Sequence, residues 1–129
     1  MIIDTDVLIW YLRGNEKAKK VVEDAIPFSI SAVTYMELIQ GMKDKEESRR
    51  FQKQMQRWNT DIIHIDNDIS SRAVFYIQEY ALSHAMYLAD ALIAATVVQM
   101  SETLLTANDE HYKFIPNIRC KRFESETKE

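Results

Sequence analysis

The sequence has few of the residues that interrupt or cross-link a chain. Only two glycines, two prolines and one cysteine occur among its 129 residues. So little glycine and proline excludes collagen-like and low-complexity chains. The single Cys120 forms no intrachain disulfide, which excludes a disulfide-stapled scaffold and favours a reducing cytoplasm. We therefore expect a compact, largely helical protein whose stability comes from a packed core.

The chain also lacks a basic surplus and a long apolar run. Lys and Arg number 16 against 20 for Asp and Glu, and the formal net charge is −4. Proteins that bind nucleic acid without sequence preference usually carry a basic surplus, so such a substrate here would depend on local patches and metal. The absence of a membrane-length apolar run, and the charges of Asp4 and Asp6, predict a cytoplasmic protein without leader peptide or membrane partner. Two local basic patches are present: Arg49, Arg50, Lys53 and Arg57, and then Arg119, Lys121 and Arg122.

Short apolar runs alternate with segments of helical periodicity, which predicts an α/β domain with a mostly parallel sheet. Strands are predicted at 1–3, 28–30, 62–65, 103–106 and, at one edge, 118–123. Helices are predicted at 5–12, 16–24, 32–42, 43–58, 69–84 and 87–100. We expect one domain over residues 1–123, followed by a charged, frayed tail at 124–129.

Four carboxylates follow predicted strands or begin helices: Asp4, Glu37, Asp90 and Asp109. In an open parallel sheet, ligands bind in the crevice at the carboxyl ends of the strands, where these residues could meet. Burying acids beside one another costs several kcal/mol per charge unless a cation compensates. A hard divalent cation such as Mg²⁺ or Mn²⁺ prefers oxygen ligands. The pattern therefore indicates a metal-dependent phosphodiesterase.

Each acid also has a purely structural interpretation. Asp4 could be a turn or cap residue, with Thr5 or Asp6 capping the first helix. Thr34 and Glu37 have the spacing of a capping box. Asp109 fits a turn, whereas Asp90 lies in an apolar helix without a polar face, where an unpaired acid is expensive. The three histidines are scattered and form no zinc pattern.

Four segments, in order and almost end to end, resemble the PIN-domain family, specifically the VapC-type toxins of toxin–antitoxin pairs. They are Met1–Ile9, Ser31–Gly41, His84–Thr96 and Leu104–Tyr112. The resemblance implies a Rossmann-like three-layer α/β/α fold and Mg²⁺- or Mn²⁺-dependent endoribonuclease activity. It also implies an RNA substrate and a VapB-type antitoxin as partner.

Carried over by position, the resemblance makes Asp4, Glu37 and Asp90 the core acids. In the fourth segment the family's polar positions hold Asn108 and His111, and Asp109 lies between them. On this interpretation Asp4 and Asp90 bind the metal directly. Glu37 and Asp109 act through water or a second ion, while Thr106 and Asn108 orient the loop. The number of metal ions and a contribution from Asp6 remain open.

Three functions compete on this basis. The first is a toxin endoribonuclease; the second is an RNA-processing or DNA-cutting nuclease of the same fold without an antitoxin. The third is a degenerate module that binds RNA or protein without cutting, which the presence of all three core acids disfavours. The apolar helix at 7–12 carries Trp10 and Tyr11, and aromatic anchors often centre protein interfaces. We therefore expect a homodimer, with the antitoxin bound alongside this helix.

Overall fold

A computed structural model describes residues 1–126 as a sheet flanked by helices. The strands are β1 (Ile2–Ile3), β2 (Ser29–Ser31), β3 (Asp61–Ile63), β4 (Thr103–Thr106) and β5 (Arg119–Arg122). The helices are α1 (Thr5–Leu12), α2 (Glu16–Ala25), α3 (Ala32–Gln40), α4 (Lys45–Arg57), α5 (Asn67–His84) and α6 (Leu88–Gln99). A 3₁₀ turn covers Asp109–His111.

The five strands lie in the order β3-β2-β1-β4-β5, and every neighbouring pair is parallel. The chain builds outward from β1 to β2 and β3 on one side, then crosses back to place β4 on the other side. A crevice opens at the carboxyl ends of the strands where the order of connection reverses, between β1 and β4. The carboxyl ends of β1 and β4 therefore lie where sheets of this type usually bind their ligands.

Alternation of side chains along the central strands divides the core into two layers, one on each face of the sheet. Ile2 and Leu104 pack with the apolar faces of α5 and α6. Ile3 and Leu105, one residue further along each strand, pack with α1, α2 and α4. The predicted three-layer α/β/α fold is therefore confirmed, and the sheet is wholly parallel in the described part of the chain.

Most predicted elements are present, with shifted ends. The third strand ends at Ile63, so His64 and Ile65 lie exposed beyond it. This strand pairs only with β2, and Asp66 immediately caps α5 by accepting a hydrogen bond from the Ile69 amide. The partner strand β2 ends at Ser31, which already caps α3, so His64 has no residue of β2 left to pair with.

Of the two structural interpretations that competed with a functional role, the cap role of Asp4 is confirmed and the capping box of Thr34 and Glu37 was wrong. The side chain that caps α1 is Asp4, not Thr5 or Asp6, and it accepts from the Thr5 amide at 2.8 Å. The cap of α3 is Ser31, which accepts from the Val33 amide at 3.1 Å. Thr34 therefore lies inside the helix, and Glu37 takes no part in a capping box.

Helix α1 turns its aromatic residues only partly outward. Tyr11 packs edge-on against Trp58 at a centroid distance of 5.0 Å, and Trp10 is half-buried beneath the Arg13 guanidinium. The more exposed residues of this helix are Ile9 and Leu12, at 37% and 46%. Any interface along α1 would therefore be centred on the aliphatic residues.

The end of the described chain contacts the sheet and α2. The Phe123 amide donates to the Thr106 carbonyl at 2.8 Å. The Ser125 and Glu126 carbonyls accept from Asn15 and Lys17. The domain limit at residue 123 and the frayed tail stay predictions, and residues 127–129 of that tail lie outside the described residues. None of the helices over residues 1–126 has the length and apolar character needed to cross a membrane.

Candidate active site

Asp4 occupies the point where β1 passes into α1. Its side chain is nearly inaccessible, with the residue 6% exposed. One oxygen, Oδ1, accepts from the Thr5 amide at 2.8 Å, and the other, Oδ2, accepts from the Thr106 hydroxyl at 2.9 Å. Thr106 is the last residue of β4 and is itself buried. This bond ties together the carboxyl ends of the two strands that border the crevice.

Asp6, whose contribution the sequence left open, reaches the same place from the first turn of α1. Its Oδ2 accepts from the Asn108 side-chain amide at 2.9 Å and from the Ala107 backbone amide at 3.2 Å. Its Oδ1 is buried and has no hydrogen-bond partner within residues 1–126. An ionised carboxylate oxygen left unpaired and away from water is costly, and a cation would satisfy it.

Burial of these two acids disfavours their charged forms. Desolvation, followed by the charge of Asp6, raises the pKa of Asp4 from 3.8 to about 7. The Thr106 and Thr5 hydrogen bonds oppose this rise. Desolvation also raises the pKa of Asp6, against the hydrogen bonds from Ala107, Val7, Asn108 and Thr106. The pair is therefore prepared to hold either a proton or a positive ion.

Asp90 approaches from the opposite side of the crevice, in the first turn of α6. The surrounding apolar residues predicted an acid buried within a helix, but this position leaves its side chain 21% exposed. Its Oδ1 accepts from the Tyr112 hydroxyl at 3.2 Å, and His111 Nδ1 lies 3.4 Å from its Oδ2. The helix N-terminus also favours a negative charge here.

Tyr112 is the side chain between the two walls, and it is only 1% exposed. Its hydroxyl donates to Asp90 and also reaches Asp4 closely enough to lower the pKa of that carboxyl. Burial, then the charges of Asp4 and Asp90, raises the pKa of the Tyr112 phenol above its usual range. The phenol therefore stays protonated and acts as a hydrogen-bond donor between the acids.

Glu37 completes the ring of acids from α3. It is exposed, and its Oε1 accepts from the Thr5 hydroxyl at 2.7 Å. That hydroxyl also lies 3.0 Å from the hydroxyl of the buried Thr34. Thr5 therefore joins Glu37 to the helix that Asp4 caps, although the sequence analysis assigned it only a possible capping role.

These side chains border one open cleft of about 360 Å³. Of the predicted site residues, Asp4, Glu37, Asp90 and Asn108 line it, and Thr106 lies beneath it through the bond to Asp4. Asp109 does not line it; it begins the 3₁₀ turn, and its carbonyl accepts from the Tyr112 and Lys113 amides. The full lining is Asp4, Thr5, Asp6, Ile9, Glu37, Tyr87, Ala89, Asp90, Ile93, Asn108, His111 and Tyr112.

Sequence reasoning gave no role to Tyr112 and none to Thr5 beyond a cap. Tyr112 ends the fourth segment that resembled the PIN-domain family, so its presence there was a usable signal. The hydroxyl's position between Asp4 and Asp90 depends on how the loop after β4 folds back over α6. Spacing along the chain does not determine that geometry.

The acids fit a hydrated hard cation better than a fully protein-enclosed one. Among the described residues, no three His, Cys, Asp or Glu side chains are close enough to form a complete metal site. Mg²⁺ usually takes one or two carboxylates and retains several waters, some of which substrate phosphates replace. The orphan Oδ1 of Asp6 and the buried carboxyl of Asp4 provide ligands of this type.

Comparison with known proteins identifies the family to which this fold belongs. The family model described as "PIN domain" matches residues 1–115. The chain therefore belongs to the PIN domain family, as the resemblance of its four segments indicated. It has no significant match among curated proteins.

Solved structures of similar fold come from toxin–antitoxin complexes. A chain of a toxin–antitoxin complex from Klebsiella pneumoniae is 32% identical, with a TM-score of 0.72. That match covers 91% of this chain and 93% of the other. VapBC2 from Rickettsia felis, bound to a promoter DNA fragment, gives 18% identity, a TM-score of 0.77 and coverages of 95% and 98%. VapBC from Salmonella typhimurium, also bound to DNA, is 21% identical, with a TM-score of 0.76. That match covers 94% of this chain and 96% of the other.

The raised pKa of Asp4 predicts a specific pH dependence of stability in the metal-free protein. Between pH of about 4 and 7 the folded chain binds more protons at Asp4 than the unfolded chain does. The free energy of unfolding should therefore fall as pH rises through this interval, by a few kcal/mol. Asp6 contributes with the same sign. Thermal unfolding in EDTA across this range measures the effect.

Asp4→Asn is the matched control, because Asn caps a helix about as well as Asp but carries no charge. It should flatten the pH dependence and raise the melting temperature near neutral pH. Identical pH profiles for Asp4→Asn and wild type would contradict the burial of a strained charge at this position.

Proposed function

We propose that the protein is the toxin of a toxin–antitoxin pair and that it hydrolyses RNA phosphodiester bonds with Mg²⁺ or Mn²⁺. The main support is the convergence of Asp4 and Asp6 with Asp90 across one cleft at the carboxyl edge of a PIN domain. Further support comes from the toxin–antitoxin complexes with the same fold. The cytoplasm is the compartment that fits such a protein.

In this proposal Asp4 and Asp90 hold the metal, and the free oxygen of Asp6 assists them. The bound cation supplies an activated water and neutralises charge on the phosphate. Asp4 gives up any proton that its raised pKa retains, and Tyr112 keeps Asp90 oriented by donating to its Oδ1. Glu37, held by Thr5, orients water at the open side of the cleft. Thr106 and Asn108 orient Asp4 and Asp6.

Two other functions remain as alternatives. An RNA-processing or DNA-cutting nuclease of the same fold would use the same acids but have no antitoxin. A short antitoxin gene next to this one would separate the two cases. A degenerate binding module is disfavoured, because the principal acids are present and line one cleft.

The antitoxin would bind along the exposed side of α1, where a groove of about 400 Å³ separates α1 from α4. Leu12 and Met42 contribute apolar surface to this groove, and Lys43, Arg50 and Arg57 outnumber its one acid, Glu47. An amphipathic helix with acidic flanks suits such a surface. A basic side chain on the antitoxin's tail could then enter the acidic cleft and replace the cation's charge. We also propose that the toxin is a homodimer.

The proposal predicts cleavage of total RNA by the purified protein in Mg²⁺ or Mn²⁺ and none in EDTA. Asp4→Asn and Asp90→Asn should each lower the rate about a hundredfold or more, or about 3 kcal/mol of barrier, because Asn keeps the shape but loses the charge. Gel analysis of RNA fragments over time measures the rates. A folded Asp90→Asn protein with full activity would contradict the assignment of the metal site.

Asp6→Asn and Asp109→Asn form a matched pair of variants that tests which of the two residues is the fourth acid of the site. Asp6 lines the cleft and Asp109 does not. If Asp109 serves as the catalytic group that the sequence predicted, Asp109→Asn should slow cleavage more than Asp6→Asn. The geometry favours the reverse order.

Antitoxin binding should depend on the exposed side of α1. Leu12→Ser should weaken binding about thirtyfold, because an aliphatic anchor in an interface is worth about 2 kcal/mol. Leu82→Ser changes a fully exposed leucine on α5 and should leave the affinity unchanged. Titration calorimetry with the antitoxin measures both, and light scattering on wild type should give the mass of a dimer. Equal affinities for the two variants would contradict this interface, and a monomeric mass would contradict the homodimer.

A further inference from the structure

A second, smaller cavity adjoins the acidic cleft on the side of α6. Its volume is about 200 Å³. Three residues line both spaces: Tyr87, Asp90 and His111. His84 and Glu110 lie on its far side. We call this space the side cavity. A ligand group in it would therefore lie next to whatever occupies the cleft.

Tyr87 stands exposed at the junction of the two spaces. It is 74% exposed, although it directly follows the buried Met86 and precedes the first turn of α6. Its side chain makes no capping bond to the helix, and within residues 1–126 its ring packs against no other aromatic ring. Most of the surface of this large planar side chain is therefore available to a ligand.

The opposite wall of the side cavity is rigid. The His84 ring stacks on Phe114 with a centroid distance of 4.2 Å and an interplanar angle of 23°. Tyr80 packs edge-on against both rings. Ala85 then takes a left-handed conformation, with φ of 51°, which turns the chain so that His84 and Tyr87 border the same space. A preorganised wall lowers the entropic cost of binding a rigid group.

The charges of the side cavity disfavour a phosphate as its occupant. Two carboxylates, Asp90 and Glu110, border it together with the His84 and His111 rings. His111 lies 3.4 Å from the Asp90 carboxylate and Lys113 lies 3.1 Å from that of Glu110, so these groups are already engaged with the acids. Like charges would repel a phosphate from this wall. Drug-sized ligands occupy roughly 300–1,000 Å³, so the smaller volume here suits a single flat ring system. An uncharged, aromatic group attached to a phosphate in the cleft meets both conditions.

We propose that the side cavity binds an unpaired base of the RNA substrate, adjacent to the phosphate in the acidic cleft, with Tyr87 as the stacking surface. This inference rests on the proposed function in one respect, that RNA is the substrate. Proteins bind single-stranded RNA by stacking its splayed bases on aromatic side chains, and this needs the base to be out of a helix. The side cavity would thus direct cleavage to single-stranded segments or loops.

The test measures binding of a short single-stranded RNA in Mg²⁺ by fluorescence anisotropy. All proteins carry Glu37→Gln, which should slow cleavage while keeping the proposed metal ligands Asp4 and Asp90; Glu37 does not line the side cavity. Tyr87→Ala should weaken binding about tenfold, since stacking on an aromatic ring is worth 1–3 kcal/mol per base. Tyr87→Phe keeps the ring and should bind as the parent does. Leu82→Ala, at a fully exposed site on α5, controls for loss of apolar surface.

A series of RNAs, each with one base removed, locates the stacked nucleotide. In the Tyr87 parent, one abasic position should weaken binding about tenfold. In Tyr87→Ala, removal of the same base should weaken binding only slightly. The ring and the base take part in one shared interaction, so losing the second partner removes little more. With Glu37 restored, Tyr87→Ala should raise KM and leave kcat nearly unchanged.

Equal RNA affinities for Tyr87→Ala and its parent, or abasic penalties that are the same in both, would overturn the side cavity as a base site. Circular dichroism confirms that each variant is folded, which the exposure of Tyr87 favours. Failure of the proposed function is recognised separately. It would appear as no cleavage of any RNA by the wild-type chain in Mg²⁺ or Mn²⁺.

Discussion

The hydrogen bond from the Thr106 hydroxyl to Asp4 Oδ2 joins the ends of the two central strands, and the site is organised around it. Thr106 also accepts from the Asn108 amide at 3.0 Å, which fixes the start of the loop after β4. That loop carries Asn108 to Asp6 and Tyr112 to Asp90. One buried hydroxyl thus connects the β1 edge of the cleft to the loop that reaches α6.

The same arrangement is unfavourable to the free energy of folding. Two carboxylates lie two residues apart in sequence and are both removed from water, one of them with an oxygen that no group satisfies. Natural proteins tolerate such violations mainly at functional sites, where stability is exchanged for activity. Elsewhere both faces of the sheet are covered, and the caps of α2, α4 and α5 are satisfied by Asn15, Asp44 and Asp66. Two other buried polar atoms, Thr60 Oγ1 and Arg72 Nε, also lack a partner among the described residues. The unpaired oxygen of Asp6 is the one that a cation in the cleft would satisfy.

In the proposed function, the cleft and the side cavity divide the recognition of a nucleotide between two kinds of surface. The cleft offers carboxylates, which attract a cation and through it a phosphate. The side cavity offers aromatic faces, which are indifferent to base identity because every base has a π-face. This division explains how a chain of net charge −4 could handle a polyanion without a global basic surface. In this arrangement a bound ion and base stacking attract the nucleic acid, rather than lysine and arginine side chains.

The sequence by itself determined the class of fold and three acids of the cleft. Alternating strand and helix periods follow from local residue patterns, and a parallel sheet then brings strand ends to one edge, so Asp4 was predictable. Asp90 was predictable because an unpaired acid in an apolar helix is expensive. Glu37 was predictable only by resemblance, since its spacing from Thr34 equally suited a cap. Only the tertiary structure decided between Asp6 and Asp109 as cleft-lining residues and placed Tyr112 between the acids. These outcomes depend on how the loop after β4 folds across α1 and α6, a long-range packing that one-dimensional spacing does not encode.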